Sequence, residues 1–173
     1  PKINVPGSPL RFDAETGSLV SVDYKKTVTP AKTWEECYGN GAYYYGSYGK
    51  WFDHQNEACV SISKSLRLSS IKNDKATLLD TLALDADGSW MQQVTFAKDR
   101  LFGMTYSVDA ATGVNTQRIV SIAGFNAGKF QPGELLLETG KSWYYGSYGI
   151  VGVSGESAVL MSWTNENTLF TLD

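Results

Sequence analysis

The chain predicts an all-β protein, an antiparallel β-barrel or β-sandwich of about 10–12 strands, on three observations. Apolar and polar residues alternate over runs that turn residues interrupt at short, regular spacing. Helical periodicity is confined to one short stretch. Two phrases recur about a hundred residues apart and in the same order: D-A-x-T-G, at Asp13–Gly17 and Asp109–Gly113, and Y-Y-G-S-Y-G, at Tyr44–Gly49 and Tyr144–Gly149. The pair of repeats predicts one domain over residues 1–173 with an internal duplication, its related halves lying at about 10–63 and 106–163.

In chain order, Pro1 to Pro9 reads as an irregular arm. Leu10–Phe12 and Ser18–Tyr24 form a hairpin across the first D-A-x-T-G turn. Thr29-Pro30-Ala31-Lys32-Thr33-Trp34-Glu35-Glu36 is the helix-like stretch, with Thr29 as N-cap and Pro30 at the first helical position. After the first aromatic phrase, Lys50–Glu57 reads as a polar and aromatic loop, and Ala58–Ser63 as a strand. Thr77–Leu84 is expected to pair with Ser89–Phe96 across an Asp85-Ala86-Asp87-Gly88 hairpin turn. Leu101–Val108 and Thr116–Ile122 flank the second D-A-x-T-G. Trp143–Tyr148, Ile150–Val153, Ser157–Trp163 and Thr168–Leu172 complete the strands.

Composition excludes several classes. Hydrophobic residues make up 42% and charged residues 19% of the 173, an ordinary globular balance and not a disordered one. With a net charge of -3 and no basic run longer than Lys25-Lys26, no nucleic acid is expected as partner. No apolar run approaches the roughly 20 residues of a membrane span. No targeting segment is expected from these residues, and secreted and soluble intracellular placements both stay open. Cys37 and Cys59 bracket the first aromatic phrase; a bridge between them and two buried thiols are both compatible with the spacing.

Catalytic chemistry finds little support. His54 is the sole histidine, no G-x-S-x-G surrounds a serine, and neither C-x-x-C nor H-E-x-x-H offers a metal site. No catalytic residue, metal or cofactor is therefore expected. Glu57 and Glu156 follow the two aromatic phrases at matching places; a carboxylate pair for glycoside hydrolysis and two loop caps are the alternatives. Gly49-Lys50-Trp51 is similar to the G-x-W that opens lipocalins. It covers three residues, stands far later than that family places it, and transfers no roles.

The aromatic phrases are the best functional candidates. Tyrosines spaced by glycines form flat platforms, and a flat ring stacks on the apolar face of a sugar while hydroxyls and amides bond its edge. The candidate ligand-binding residues are Tyr44, Tyr45, Tyr48, Trp51, Asp53 and His54 in the first half, and Trp143, Tyr144, Tyr145 and Tyr148 in the second. The expected function is non-enzymatic, lectin-like carbohydrate binding. The alternatives are a β-barrel holding a small apolar or aromatic ligand or chromophore, as carrier or cyclase, and a structural protein without ligand, in which glycine and ring mark a sheet corner. The expected partners are a glycan or small molecule, with a homo-oligomer as a further candidate. Only the first phrase is followed by Trp51, Asp53 and His54 and bracketed by cysteines, so the first half is expected to carry the working site.

Overall fold

A computed structural model describes residues 2–5, 7–38, 50–84, 90–108, 115–125, 127–131, 133–138, 148–162 and 168–172. Among the described residues strands predominate against one short helix, and three antiparallel sheets result, one of them curled into a half-barrel. The described elements are β1 (Ser8–Asp13), β2 (Ser18–Pro30), α1 (Trp34–Tyr38), β3 (Lys50–Asp53), β4 (Ala58–Lys72), β5 (Lys75–Ala83), β6 (Trp90–Ala97), β7 (Arg100–Val108), β8 (Asn115–Ala123), β9 (Glu134–Glu138), β10 (Tyr148–Ser154), β11 (Ser157–Ser162) and β12 (Thr168–Leu172).

The first sheet is built on one ladder. β2 and β4 pair without a register shift from Ser18 opposite Ser70 to Pro30 opposite Ala58. β1 covers the outer edge of β2 only as far as Val22. The other edge of β4 is shared end to end by β3 and β5. Local chemistry sets the turns. The Asp13 carboxylate accepts from the amides of Glu15 and Thr16, Gly17 takes φ +67°, and the Gly17 carbonyl receives the Ile71 amide at 2.7 Å. Between β4 and β5, Asn73 and Asp74 both adopt positive φ, the conformation of a two-residue type I′ hairpin.

The second sheet runs β6-β7-β8-β9 and the third β10-β11-β12. Residues 101–106 of β7 are all buried, as befits a strand covered on both faces. Leu101, with Ile122 of β8, packs against Val20, Val22, Leu66 and Leu68 of the first sheet. Phe102, with Ile119, packs the opposite way against Ala158 and Leu160 of the third. After β8 the chain folds on itself, Lys129 donating to the Gly124 carbonyl and Gln131 to that of Ala123, and this loop drives Phe125 and Phe130 into the first core.

Several expectations are corrected. Thr29 and Pro30 do not open a helix: they end β2, and the N-cap is Thr33, whose hydroxyl accepts from Glu36 N at 3.2 Å. β5 and β6 are not a hairpin. β5 pairs β4 and β6 pairs β7, so the Asp85–Gly88 link, itself outside the described residues, carries the chain from one sheet to another. Lys50–Asp53 is a strand and not loop, and β4 runs on to Lys72. Of the two alternatives for the cysteines the bridge is the one present: Cys37 and Cys59 form a disulfide.

Candidate functional site

Successive residues of a strand face opposite ways, and residues directly paired across a ladder face the same way. One face of the β2–β4 ladder therefore carries Val20, Val22, Tyr24, Lys26, Val28 and Pro30 on one strand, opposite Leu68, Leu66, Lys64, Ile62, Val60 and Ala58 on the other. From Val20 to Val22 the second sheet covers this face, and the aliphatic side chains there form the core. From Tyr24 onward the β2 side of the ladder is exposed, whereas on β4 Lys64 and Ile62 are half-buried and Val60 and Ala58 are buried. Tyr24 is 53% exposed and Val28 55%.

β3 widens the overhang. Trp51 pairs with Val60, which pairs with Val28, so Trp51 belongs to the same face; it is 40% exposed. Four residues along a strand span about 13 Å and two strand spacings about 9.5 Å, so Tyr24 and Trp51 stand at opposite corners of a patch about 16 Å across. Lys26 and Lys64 lie between them. The Lys64 ammonium stands 5.6 Å from the Tyr24 ring centre.

The opposite face of this overhang holds it in shape. There Cys59 is bonded to Cys37 of α1, and Ala31, Tyr38 and Phe52 close around the pair as a small core separate from the two larger ones. The Tyr38 hydroxyl donates to the Lys50 carbonyl at 2.9 Å, Lys50 stacks over the Tyr38 ring, and Ala31 N donates to the Glu57 carbonyl. A disulfide over a separation of 22 residues is worth roughly 3 kcal/mol in the chain-entropy model. It ties down the end of the sheet that lacks a large core.

Asp53 builds the β3–β4 turn. Its Oδ1 accepts from the amides of Gln55 and Asn56, and its Oδ2 from the Asn56 side chain at 2.8 Å. The Asn56 amide bond is the main reason its carboxyl titrates below the ordinary aspartate value. His54 sets its ring edge-on to Phe52, with centroids 4.6 Å apart. Of the sequence-predicted site residues, then, Trp51, Asp53 and His54 come together at one end of the sheet, with Trp51 on the open face and Asp53 committed to the turn.

Tyr148 lies elsewhere, on β10, and its carbonyl accepts from the Gln117 amide at 2.7 Å. Gln117 also donates to the Tyr106 hydroxyl and meets the Met104 sulfur, a buried polar cluster between the second and third sheets. Burial raises the Tyr106 pKa above its ordinary value. Tyr44, Tyr45, Tyr48, Trp143, Tyr144 and Tyr145 lie outside the described residues. Tyr24, Lys26, Val28 and Lys64 escaped sequence reasoning, although the alternation continues past Tyr24 and marks them.

The two glutamates do not meet. The Glu57 backbone, at φ +46°, holds Ala31, whereas Glu156 on the β10–β11 turn pairs with Lys98, which lowers its pKa. Glu156 shares an open cleft of about 320 Å³ with Arg100, Glu134 and Ser157. Among the described residues no group of three or more histidine, cysteine or acidic side chains could hold a metal, and no helix is long and apolar enough to cross a membrane. Comparison with protein families, with curated proteins and with solved structures finds no match to this chain.

Proposed function

We propose that the protein is a non-enzymatic carbohydrate-binding module whose working surface is the overhanging face of the β2–β4–β3 sheet. One observation carries this reading. A face that is aliphatic and buried at Val20, Val22, Leu66 and Leu68 carries exposed Tyr24, Lys26, Val28 and Trp51 further along, around a half-buried Lys64 and a buried Val60. An exposed apolar face that is flat and interspersed with hydrogen-bonding groups matches a saccharide, whose ring faces are apolar and whose edges are polar. The first aromatic phrase lies in sequence between the bonded Cys37 and Cys59.

The repeated phrases are read as a duplicated unit in which the second half keeps two hairpins, β7–β8 and β10–β11, in two separate sheets instead of one, and has lost the ligand. Val151 follows the second phrase where Trp51 follows the first, and Val153 and Ser154 stand where Asp53 and His54 do. The test is affinity electrophoresis through gels containing polysaccharides, joined to melting curves with soluble oligosaccharides. Retardation together with a raised melting temperature is expected. Free migration in every polymer and no shift with any sugar would remove the reading.

A second reading has one observation in its favour. The buried Gln117–Tyr106–Met104 cluster places an amide, a hydroxyl and a sulfur together in the interior, as a barrel holding a small ligand would have. An absorption band or a mass adduct on protein from its native source would favour it.

A further inference from the structure

β3 has two faces with different tasks. Phe52 pairs with Cys59 and shares its face with the disulfide, whereas Trp51 pairs with Val60 and belongs to the other face. The packing under Phe52 is small: Ala31, Cys37 and Cys59 are buried, Tyr38 lies alongside, and among the described residues none of the five enters either larger core. A five-residue helix is too short to stand by itself, and β3 brings only four residues of ladder to β4. The bond from the Tyr38 hydroxyl to the Lys50 carbonyl joins helix to strand, and the bridge is the covalent tie between helix and sheet.

Resting on the carbohydrate reading above, we infer that the Cys37–Cys59 bridge is a redox latch on the Trp51 surface: oxidised, it holds β3 in place, and reduced, it lets α1 and β3 loosen while the two larger cores stand. The chemistry is exchange with a dithiol. One thiolate of the reductant attacks a bridge sulfur and the other cysteine leaves as a thiolate that takes up a proton. The second thiol of the reductant then resolves the mixed disulfide, so the bridge gains two electrons and two protons and the reductant ends as a disulfide. Cys37 and Cys59 are 5% and 9% exposed, so attack waits for this end of the sheet to open, and a small core opens more readily than the whole fold. Once the bridge is broken, the constraint over a separation of 22 residues is gone and the opening equilibrium rises about a hundredfold. The competing role is a permanent staple that no reductant reaches before the whole molecule unfolds.

The experiment equilibrates the whole protein in buffers of reduced and oxidised dithiothreitol and counts thiols by mass after alkylation. Hydrogen exchange is followed strand by strand, and affinity electrophoresis is run in gels of a neutral β-glucan, a polyuronate and a sulfated glycosaminoglycan. Both thiols are expected to appear together while residues 101–106 of β7 keep their protection. Exchange in Lys50–Asp53 should rise about a hundredfold, and retardation should weaken and then recover on reoxidation. Cys37→Ser/Cys59→Ser is expected to match the reduced protein in every buffer; if that variant does not fold, the wild-type titration decides alone. Thiols that appear only when β7 also loses its protection make the bridge a permanent staple and overturn the inference. A reduced protein whose β3 stays protected, or whose retardation equals that of the oxidised form, overturns it as well. Oxidised protein that migrates freely in every gel removes the carbohydrate reading, and the thiol and exchange data then decide by themselves whether the bridge controls β3.

Discussion

The two ends of the β2–β4 ladder obey one register and differ in what lies above them. At the Val20–Leu68 end, a second sheet covers the face, and Leu66 and Leu68 are wholly buried. At the Val28–Trp51 end the same face is exposed at Tyr24, Val28 and Trp51 while Val60 between them is buried, and its shape rests on a disulfide, a five-residue helix and a carboxylate-built turn. The contrast teaches that strand alternation states which residues share a face, not whether that face is covered. Cover comes from another part of the chain, and where the cover stops the residue types change from aliphatic to aromatic and cationic.

This contrast can be broken most severely at the covered end. Leu68→Ala deletes a buried side chain between two sheets and is expected to cost about 2–5 kcal/mol. A chemical denaturation midpoint measures it, and the variant that remains folded should bind sugar as wild type does. A loss of roughly 3 kcal/mol is expected for Cys37→Ser/Cys59→Ser, the chain-entropy value of the bridge. Hydrogen exchange should then accelerate in β3 and the adjoining part of β4 while the amides of β7 and β8 keep their protection; uniform acceleration would show that the ends are not separable.

A smaller effect follows from Asp53. Because its folded-state pKa lies below the ordinary aspartate value, its contribution is complete above that value and is lost as pH falls through the folded one, at about pH 4 and below. Melting curves of wild type and Asp53→Asn between pH 7 and pH 3 should converge at the acid end. The smallest expected effect sharpens the comparison of the two halves. Val151→Trp places an indole at an exposed site, leaves stability within about 0.5 kcal/mol, and should add weak binding if the second half still has the framework of a platform.

Much of this architecture is legible in the residues. The all-β class follows from alternation, the β1–β2 hairpin from Asp13 and Gly17, and the bracketing of the first aromatic phrase from Cys37 and Cys59. Other signals were present and outweighed. Thr33-x-x-Glu36 is a capping-box pattern, but Thr29-Pro30 imitated a helix start because strand ends also tolerate proline. Asn73-Asp74 is a two-residue hairpin signal that ends β4 at Lys72. The separation of β5 from β6 was not legible, since a short Asp-Gly link serves a hairpin and a change of sheet equally well. Of the site, Trp51 stood out by residue type. Tyr24 and the two lysines did not, because their common face becomes visible only once Tyr24 is set opposite Lys64.

The central claim is that the end of the sheet bearing the exposed Tyr24 and Trp51 binds carbohydrate through these rings, and a glycan array probed in parallel with wild type and Trp51→Ala tests it most directly. The account predicts that wild type labels a defined set of glycans, that Trp51→Ala labels none of them, and that the two proteins melt within about 2 °C of each other, as an exposed substitution allows. A silent array for wild type, or the same glycans labelled equally by both proteins, would contradict it.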